Sequence, residues 1–318
     1  MNQKITFPRL TDLSSDDAEK RRLTLAILDD NDLDLLQVED ILPLLADEEF
    51  TIQRLAIAAL AELNDVAAIP ALLETTADAD PDVSGAARAA LLEFRTRDAV
   101  DPFITGVAHP SPAAREAAVA ALRELKSPRA IPALRVALED SAPAVRREAI
   151  LTLARVPDHG IKAILLPTLY DSDVNVRRTA VAAVASLRTP EVLAYLLRSL
   201  RDTDWTVRRD GAALLAGFPY PGAVAGLKRA LRDEYAQVVR EAISSLGRIR
   251  APVSAAIAPF LDHEVAEVRI AAMKALGEMG DSAFRVQLSR MLNDPSPEVI
   301  GVALDLLERP VEPRFEAA

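Results

Sequence analysis

Residues 171–184 read DSDVNVRRTAVAAV, and eight other segments of the chain repeat this pattern at a nearly fixed interval. Aligned on the residue before the arginines, the equivalents are Ile52, Val83, Ala114, Val145, Val176, Val207, Val238, Val268 and Val299, spaced by 31 residues except for one step of 30. A period of roughly 20–50 residues is the mark of a stacked array. A unit this small cannot bury its own apolar face and is stable only against its neighbours.

Each unit has two halves. The first is an apolar helix, as in Ile69-Pro70-Ala71-Leu72-Leu73, Ile131-Pro132-Ala133-Leu134 and Leu193-Ala194-Tyr195-Leu196-Leu197. Proline near its start suits the first helical turn, where a missing N–H costs nothing. After a short acidic turn a second helix opens with Asp80-Pro81, Ser111-Pro112 or Ser296-Pro297, read as a capping side chain followed by proline. Within that helix the reference residue and those four and eight further on are apolar, as in Val145, Ala149, Leu153 and Val176, Ala180, Val184. This spacing marks one buried helical face. The middle position is almost always alanine, which lets helices approach closely.

Composition agrees. Half of the 318 residues are hydrophobic but only 4% are aromatic, the profile of close-packed short helices. With no cysteine, disulfides, zinc–thiolate centres and thiol catalysis are excluded. MNQKITFPRL lacks the apolar core of a signal peptide and no run approaches a membrane span, so a cytoplasmic protein is expected. A net charge of −11 argues against a bulk nucleic-acid binder, which needs a positive footprint.

Residues 1–45 depart from the repeat. Ser14-Ser15-Asp16-Asp17 reads as a helix start, Leu33 to Leu45 as a second helix interrupted near Pro43, and the segment as an N-terminal helical cap. The array then covers 46–308, and 309–318, with Pro310 and Pro313, is expected to form a flexible tail.

The paired helices, the turn aspartate five residues before the reference valine and the V-R-R-x-A core resemble HEAT repeats. The short, regular form is similar to the HEAT-like repeats of phycobilisome lyases, the E/F-type bilin lyase subunits, over roughly residues 46–308. The resemblance implies an all-α, right-handed α-α superhelix (a HEAT-like solenoid) of about nine 31-residue hairpins, with the second helices lining the inner curve. It also implies that turn aspartates and the arginines six residues on, here Asp140 with Arg146, Asp171 with Arg177 and Asp202 with Arg208, form a ladder tying one turn to the next. A carboxylate and a guanidinium would satisfy the backbone that stacking buries.

The next arginine carries the functional expectation. Arg147, Arg178, Arg209 and Arg240 stand two positions after the reference valine in four consecutive units. Two residues turn about 200° around a helix, so they point away from the packed face. The residues four and seven further on are mostly small: Ala182 and Ala185, Ala213 and Ala216, Ser244 and Gly247. The expectation is a shallow groove with an arginine row on its floor, set against a solvated face neutralised by Glu148, Asp210 and Glu241. Trp205, the single tryptophan, opens a second helix beside that row, and Tyr235 follows in the next unit. Aromatic with arginine is anchor chemistry at interfaces; the alternative is that Trp205 plugs a gap between turns.

Catalytic signatures are missing. His109 and His263 replace turn aspartates, and the third histidine is His159. His263-Glu264 resembles one of the His-Glu pairs of di-iron HEAT hydroxylases, which need several; no metal site and no cofactor are expected. The sequence therefore points to a non-enzymatic scaffold, adaptor or assembly factor. It would be monomeric when free and would bind an acidic or helical segment of another protein. A phycobilin-lyase-like or other cofactor-handling subunit is the alternative, and nucleic-acid binding a more distant one.

Overall fold

The computed structural model describes residues 10–28, 30–33, 35–158, 160–189, 191–280 and 284–308. His159 and the expected tail at 309–318 fall outside them. The described residues are helical throughout, without a strand. They fall into two compact units that part between Thr168 and Leu169.

The first unit holds α1 (Ala18–Ala26), α2 (Asp30–Leu33), α3 (Val38–Ile41), α4 (Phe50–Leu63), α5 (Ile69–Thr75), α6 (Pro81–Leu91), α7 (Val100–Gly106), α8 (Pro112–Leu125), α9 (Ile131–Ala137), α10 (Pro143–Leu153) and α11 (Ile161–Leu165). The second holds α12 (Val174–Ser186), α13 (Val192–Ser199), α14 (Trp205–Leu215), α15 (Pro221–Ala230), α16 (Ala236–Arg248), α17 (Ser254–Ile257), α18 (Ala266–Glu278), α19 (Phe284–Met291) and α20 (Pro297–Glu308). In the first unit α4, α6, α8 and α10 pack side by side as one layer, and α5, α7 and α9 back them. In the second, α12, α14, α16, α18 and α20 form the corresponding layer against α13, α15 and α19.

The buried stripe falls where the periodicity puts it. Val145, Ala149, Leu153, Val176, Ala180 and Val184 are each fully buried. Helix starts follow local chemistry. Asp80 Oδ1 accepts the N–H groups of Asp82 and Val83, and Asp173 Oδ1 those of Asn175 and Val176, satisfying donors a first turn leaves open. Ser111 differs from expectation: proline follows it, but its side chain makes no capping bond. The N-terminal region differs too. Asp17 caps α1 as read, but the stretch from Leu33 to Leu45 is no single helix. It breaks at Gln37, whose N–H is held by Asp40, and Pro43 turns the remainder into a 3-10 helix, Leu42–Ala46.

A longer period overlies the 31-residue one. Asn64, Lys126, Arg188 and Arg250, 62 residues apart, all take positive φ, between 49° and 53°, just beyond the second helices α4, α8, α12 and α16. The intervening α6, α10 and α14 stop after 11 residues each. Beyond them an apolar residue turns inward instead: Phe94, Val156 and Phe218, again 62 apart and nearly inaccessible. Left-handed backbone strains a residue bearing a Cβ. From α4 to α16, alternate hairpins thus end in a strained polar turn or in a buried apolar plug; α18 breaks the pattern, running 13 residues to a Gly280 with φ of 66°.

Candidate partner-binding surface

The turn edge of each unit is held by arginine. Arg177 on α12 donates from Nε and Nη2 to Asp202 at 2.9 Å each, and from Nη1 to its own turn's carbonyl at Asp171, 2.9 Å. Arg208 on α14 repeats this with Asp233 at 2.7 and 3.0 Å and with the Asp202 carbonyl at 3.0 Å. Each aspartate also accepts the N–H two residues on, as Asp171 does from Asp173, Asp202 from Asp204 and Asp140 from Ala142. Arg146 donates to the Asp140 carbonyl at 2.7 Å. The guanidinium's fork therefore spans two turns at once, while the carboxylate closes its own turn.

Sequence reasoning overlooked three rungs. Arg115 pairs with Asp140, Arg269 with Asp294, and Arg21 on α1 with Asp47. Arg115 and Arg269 occupy the same repeat position as Arg177, but their own turns carry His109 and His263 in place of aspartate, which hid the pattern. Both histidines do the aspartate's turn-closing work: Nδ1 accepts the N–H of Ser111 at 3.1 Å and of Val265 at 3.0 Å. They stand where the preceding unit offers Ser84 and Val239 instead of an arginine. An imidazole thus closes a turn that faces no arginine, and the Nε2 of His109 lies 3.0 Å from Glu74 Oε1. Among the described residues no group of three or more metal-ligating side chains meets.

Burial alone would push the carboxyls of Asp47, Asp140 and Asp294 up. The arginine hydrogen bond and the turn N–H outweigh it, and all three stay below the usual carboxylate range.

The expected arginine row is divided between the units. Arg147 is exposed on α10 of the first unit; Arg178, Arg209 and Arg240 stand half-buried on α12, α14 and α16 of the second. Asp210 lies between two of them. Its Oδ2 accepts from Arg178 Nε at 2.7 Å, and its Oδ1 from Arg209 Nε and Nη2 at 2.9 and 2.6 Å. Arg147 and Arg240 make no ion pair among the described residues. The other two carboxylates on this face are engaged elsewhere, Glu148 with Arg123 and Glu241 with Arg248, each at 2.8 Å. Glu148 is largely buried. Desolvation first, then the charges of Glu116 and Glu124, raise its pKa against the pull of Arg123 and Arg147.

The small residues need a correction. Ala182, Ala213 and Ser244 lie on the accessible face, but Ala185 and Gly247 are buried between helices. Gly247 is there for helix approach: a Cβ on it would sit 2.8 Å from the Cα of Ala275 on α18.

Trp205 and Tyr235 come together at the start of α14 and α16. Their rings stack with centroids 5.7 Å apart and planes 12° off parallel. Arg209 lies over Trp205 at 5.5 Å and Arg208 over Tyr235 at 5.4 Å. Trp205 is half-buried and Tyr235 is 40% exposed, so the pair both fills the step between turns and shows an edge to solvent.

These observations define an all-α helical-repeat protein with an Asp–Arg turn ladder. The family description "HEAT repeats" matches residues 72–142, 100–165, 131–216, 199–258 and 224–308, and "PBS lyase HEAT-like repeat" matches 52–78. The chain belongs to the HEAT-repeat family. No curated protein matches it. Among solved structures, a chain of the complex in which Kap95p binding switches the loops of RanGDP is 14% identical, with a TM-score of 0.65 over 93% of this chain and 48% of its own. The CpcE–CpcF complex of phycocyanin lyase from Nostoc sp. PCC7120 is 19% identical over 77% of this chain and 95% of its own, TM-score 0.37. Human deoxyhypusine hydroxylase is 22% identical over 78% and 99%, TM-score 0.34. The first likeness is one of fold; the other two superpose too loosely to carry an argument.

Proposed function

We propose that the protein is a non-enzymatic scaffold, an adaptor or assembly factor, which binds another protein on the second-helix face of residues 174–248. The site is Arg178, Arg209 and Arg240 with Trp205 and Tyr235 at its edge; Arg147 offers the same chemistry on its own unit. The observation that carries this is the sharing of Asp210 by two arginines beside a stacked aromatic pair. Guanidinium and aromatic groups at a solvent-facing step are what interfaces use as anchors. A partner carboxylate on an acidic or helical segment can join or replace Asp210 between the two forks. The remaining assignments belong to the same proposal: residues 1–45 as cap, 46–308 as array, and a monomeric, cytoplasmic protein when free. Among the described residues no helix is long and apolar enough to cross a membrane.

The test is affinity purification from the native cell with mass spectrometry, comparing the wild type with Arg209→Ala/Trp205→Ala. A partner retained by the wild type and lost by a variant of equal helicity supports the site; identical sets of co-purifying proteins refute it. The PBS-lyase-type match at 52–78 favours one second reading, a chromophore-handling subunit. Transfer of a bilin to an acceptor protein in the presence of this chain would establish that reading instead.

A further inference from the structure

We infer a second docking surface on the opposite layer of the second unit, built from α13 and α15 and shaped for an acidic segment of a protein partner. Arg198 and Arg229 occupy equivalent positions in the last turns of α13 and α15, and Arg201 and Arg232 lie three residues beyond each. Lys228 adjoins Arg229. All five are exposed, and none makes an ion pair or side-chain hydrogen bond among the described residues. The two helices run close: a Cβ on Gly226 would sit 2.3 Å from Leu197 Cδ2. Packed helices lie about 8–10 Å apart axis to axis, so Arg198 and Arg229 stand about one helix spacing apart.

Local carboxylates do not neutralise this grid. Residues 192–250 carry ten Lys and Arg against six Asp and Glu, although the whole chain has 37 against 48. Five of those six are engaged elsewhere, and the sixth, Glu234, is 79% exposed beside Arg208. Asp202 and Asp233 are ladder rungs, Asp204 caps α14, and Asp210 is held by Arg178 and Arg209. Glu241 pairs with Arg248, and Glu234 lies 3.6 Å from Arg208. Tyr170, 55% exposed, extends the patch as a flat apolar step with the Arg198 guanidinium 4.1 Å over its ring.

Cations at helix C-termini gain a little from the macrodipole, but that accounts for Arg198, Lys228 and Arg229 and leaves Arg201 and Arg232 unexplained. Five uncompensated cations, three in the last turns of α13 and α15 and two just beyond them, attract an anionic surface. A polypeptide fits best, because it needs complementarity only over these two helices. Nucleic acid or an anionic bilayer would meet the overall charge of −11 at longer range.

The experiment uses the full chain and a fluorescein-labelled oligoglutamate peptide of about twelve residues, followed by anisotropy at low salt. Saturable binding is expected, weakening as salt rises. Arg198→Glu/Arg229→Glu should weaken it at least tenfold with unchanged melting, and the milder Arg198→Gln/Arg229→Gln severalfold. The same loss should follow Arg198→Glu/Arg229→Glu made on top of Arg178→Gln/Arg209→Gln, where the acidic-segment site under Proposed function is already removed, and this separates the two surfaces. Absence of saturable binding, equal affinity in the α13/α15 variants, or tighter binding to an oligothymidylate of equal charge or to phosphatidylserine vesicles would overturn the proposal.

Discussion

Removing one rung of the turn ladder should loosen two turns at once. Asp140 is the clearest case. Its carboxylate accepts Arg115 Nε at 2.6 Å and Nη2 at 2.8 Å, and the Ala142 N–H at 2.8 Å; the two side chains are only 13% and 10% exposed. Deleting one partner of a buried pair costs about 3–5 kcal/mol, chiefly by stranding the other charge. Here Arg115 keeps the carbonyls of His109 and Pro110 as acceptors, at 3.0 and 2.9 Å. The expected cost of Asp140→Ala is therefore about 2–3 kcal/mol. Asp140→Asn retains one acceptor for the turn N–H and should cost about half as much.

Because the native carboxyl sits below its ordinary range, its contribution is complete above the unfolded carboxylate pKa and is lost as pH falls through the folded value. The wild type should lose protection below about pH 4, and Asp140→Ala should lose less there. Repeat arrays need not unfold in two states, so local hydrogen exchange over residues 109–116 and 138–146 is the assay, with urea unfolding beside it. Exchange confined to one turn, or a loss under about 0.5 kcal/mol, within the noise of surface substitutions, would refute the claim that the fork ties two turns.

Three further outcomes follow from packing and burial. Thr152 Oγ1 donates to the Val119 carbonyl at 3.0 Å and Ser245 Oγ to the Ala212 carbonyl at 2.8 Å, each from one second helix to the one before, so Thr152→Val and Ser245→Ala should each cost about 1 kcal/mol in urea unfolding. Gly247→Ala should cost about 1–3 kcal/mol, because its Cβ meets the backbone of α18; an unchanged melting temperature would contradict that approach. Glu148→Gln should raise the unfolding midpoint at pH 7. Its folded carboxyl is raised, so the wild type regains stability as pH falls toward the ordinary carboxylate range, and the variant's advantage should shrink there.

Helical pairing, the buried stripe and the turn ladder were legible because each rests on a period that stacking enforces. The stripe at Val176, Ala180 and Val184 follows from helix geometry alone. Arg115 and Arg269 escape a reading of the sequence that starts from the turn aspartates, because their own turns carry histidine. A comparison at the arginine position itself would have found them. The 62-residue alternation left almost no local signal: Asn64, Lys126, Arg188 and Arg250 are not the glycines a left-handed turn prefers. Partnerships such as Asp210 with Arg178 depend on the register of adjacent helices, and one helix's sequence does not specify it. Gly247 reads as groove floor because its angle on the helix suits that face; the close approach of α18 at Ala275 puts it inside.

The central claim is that the second-helix face of the second unit is where another protein sits. A photo-crosslinking amino acid placed in the native cell at Ala182 or Arg240, with Val136 as an exposed control, tests it most directly. One discrete protein adduct is expected from positions 182 and 240, absent at 136 and lost when Trp205→Ala is added. Adducts that are equal at all three positions, or that appear only at Val136, would contradict it.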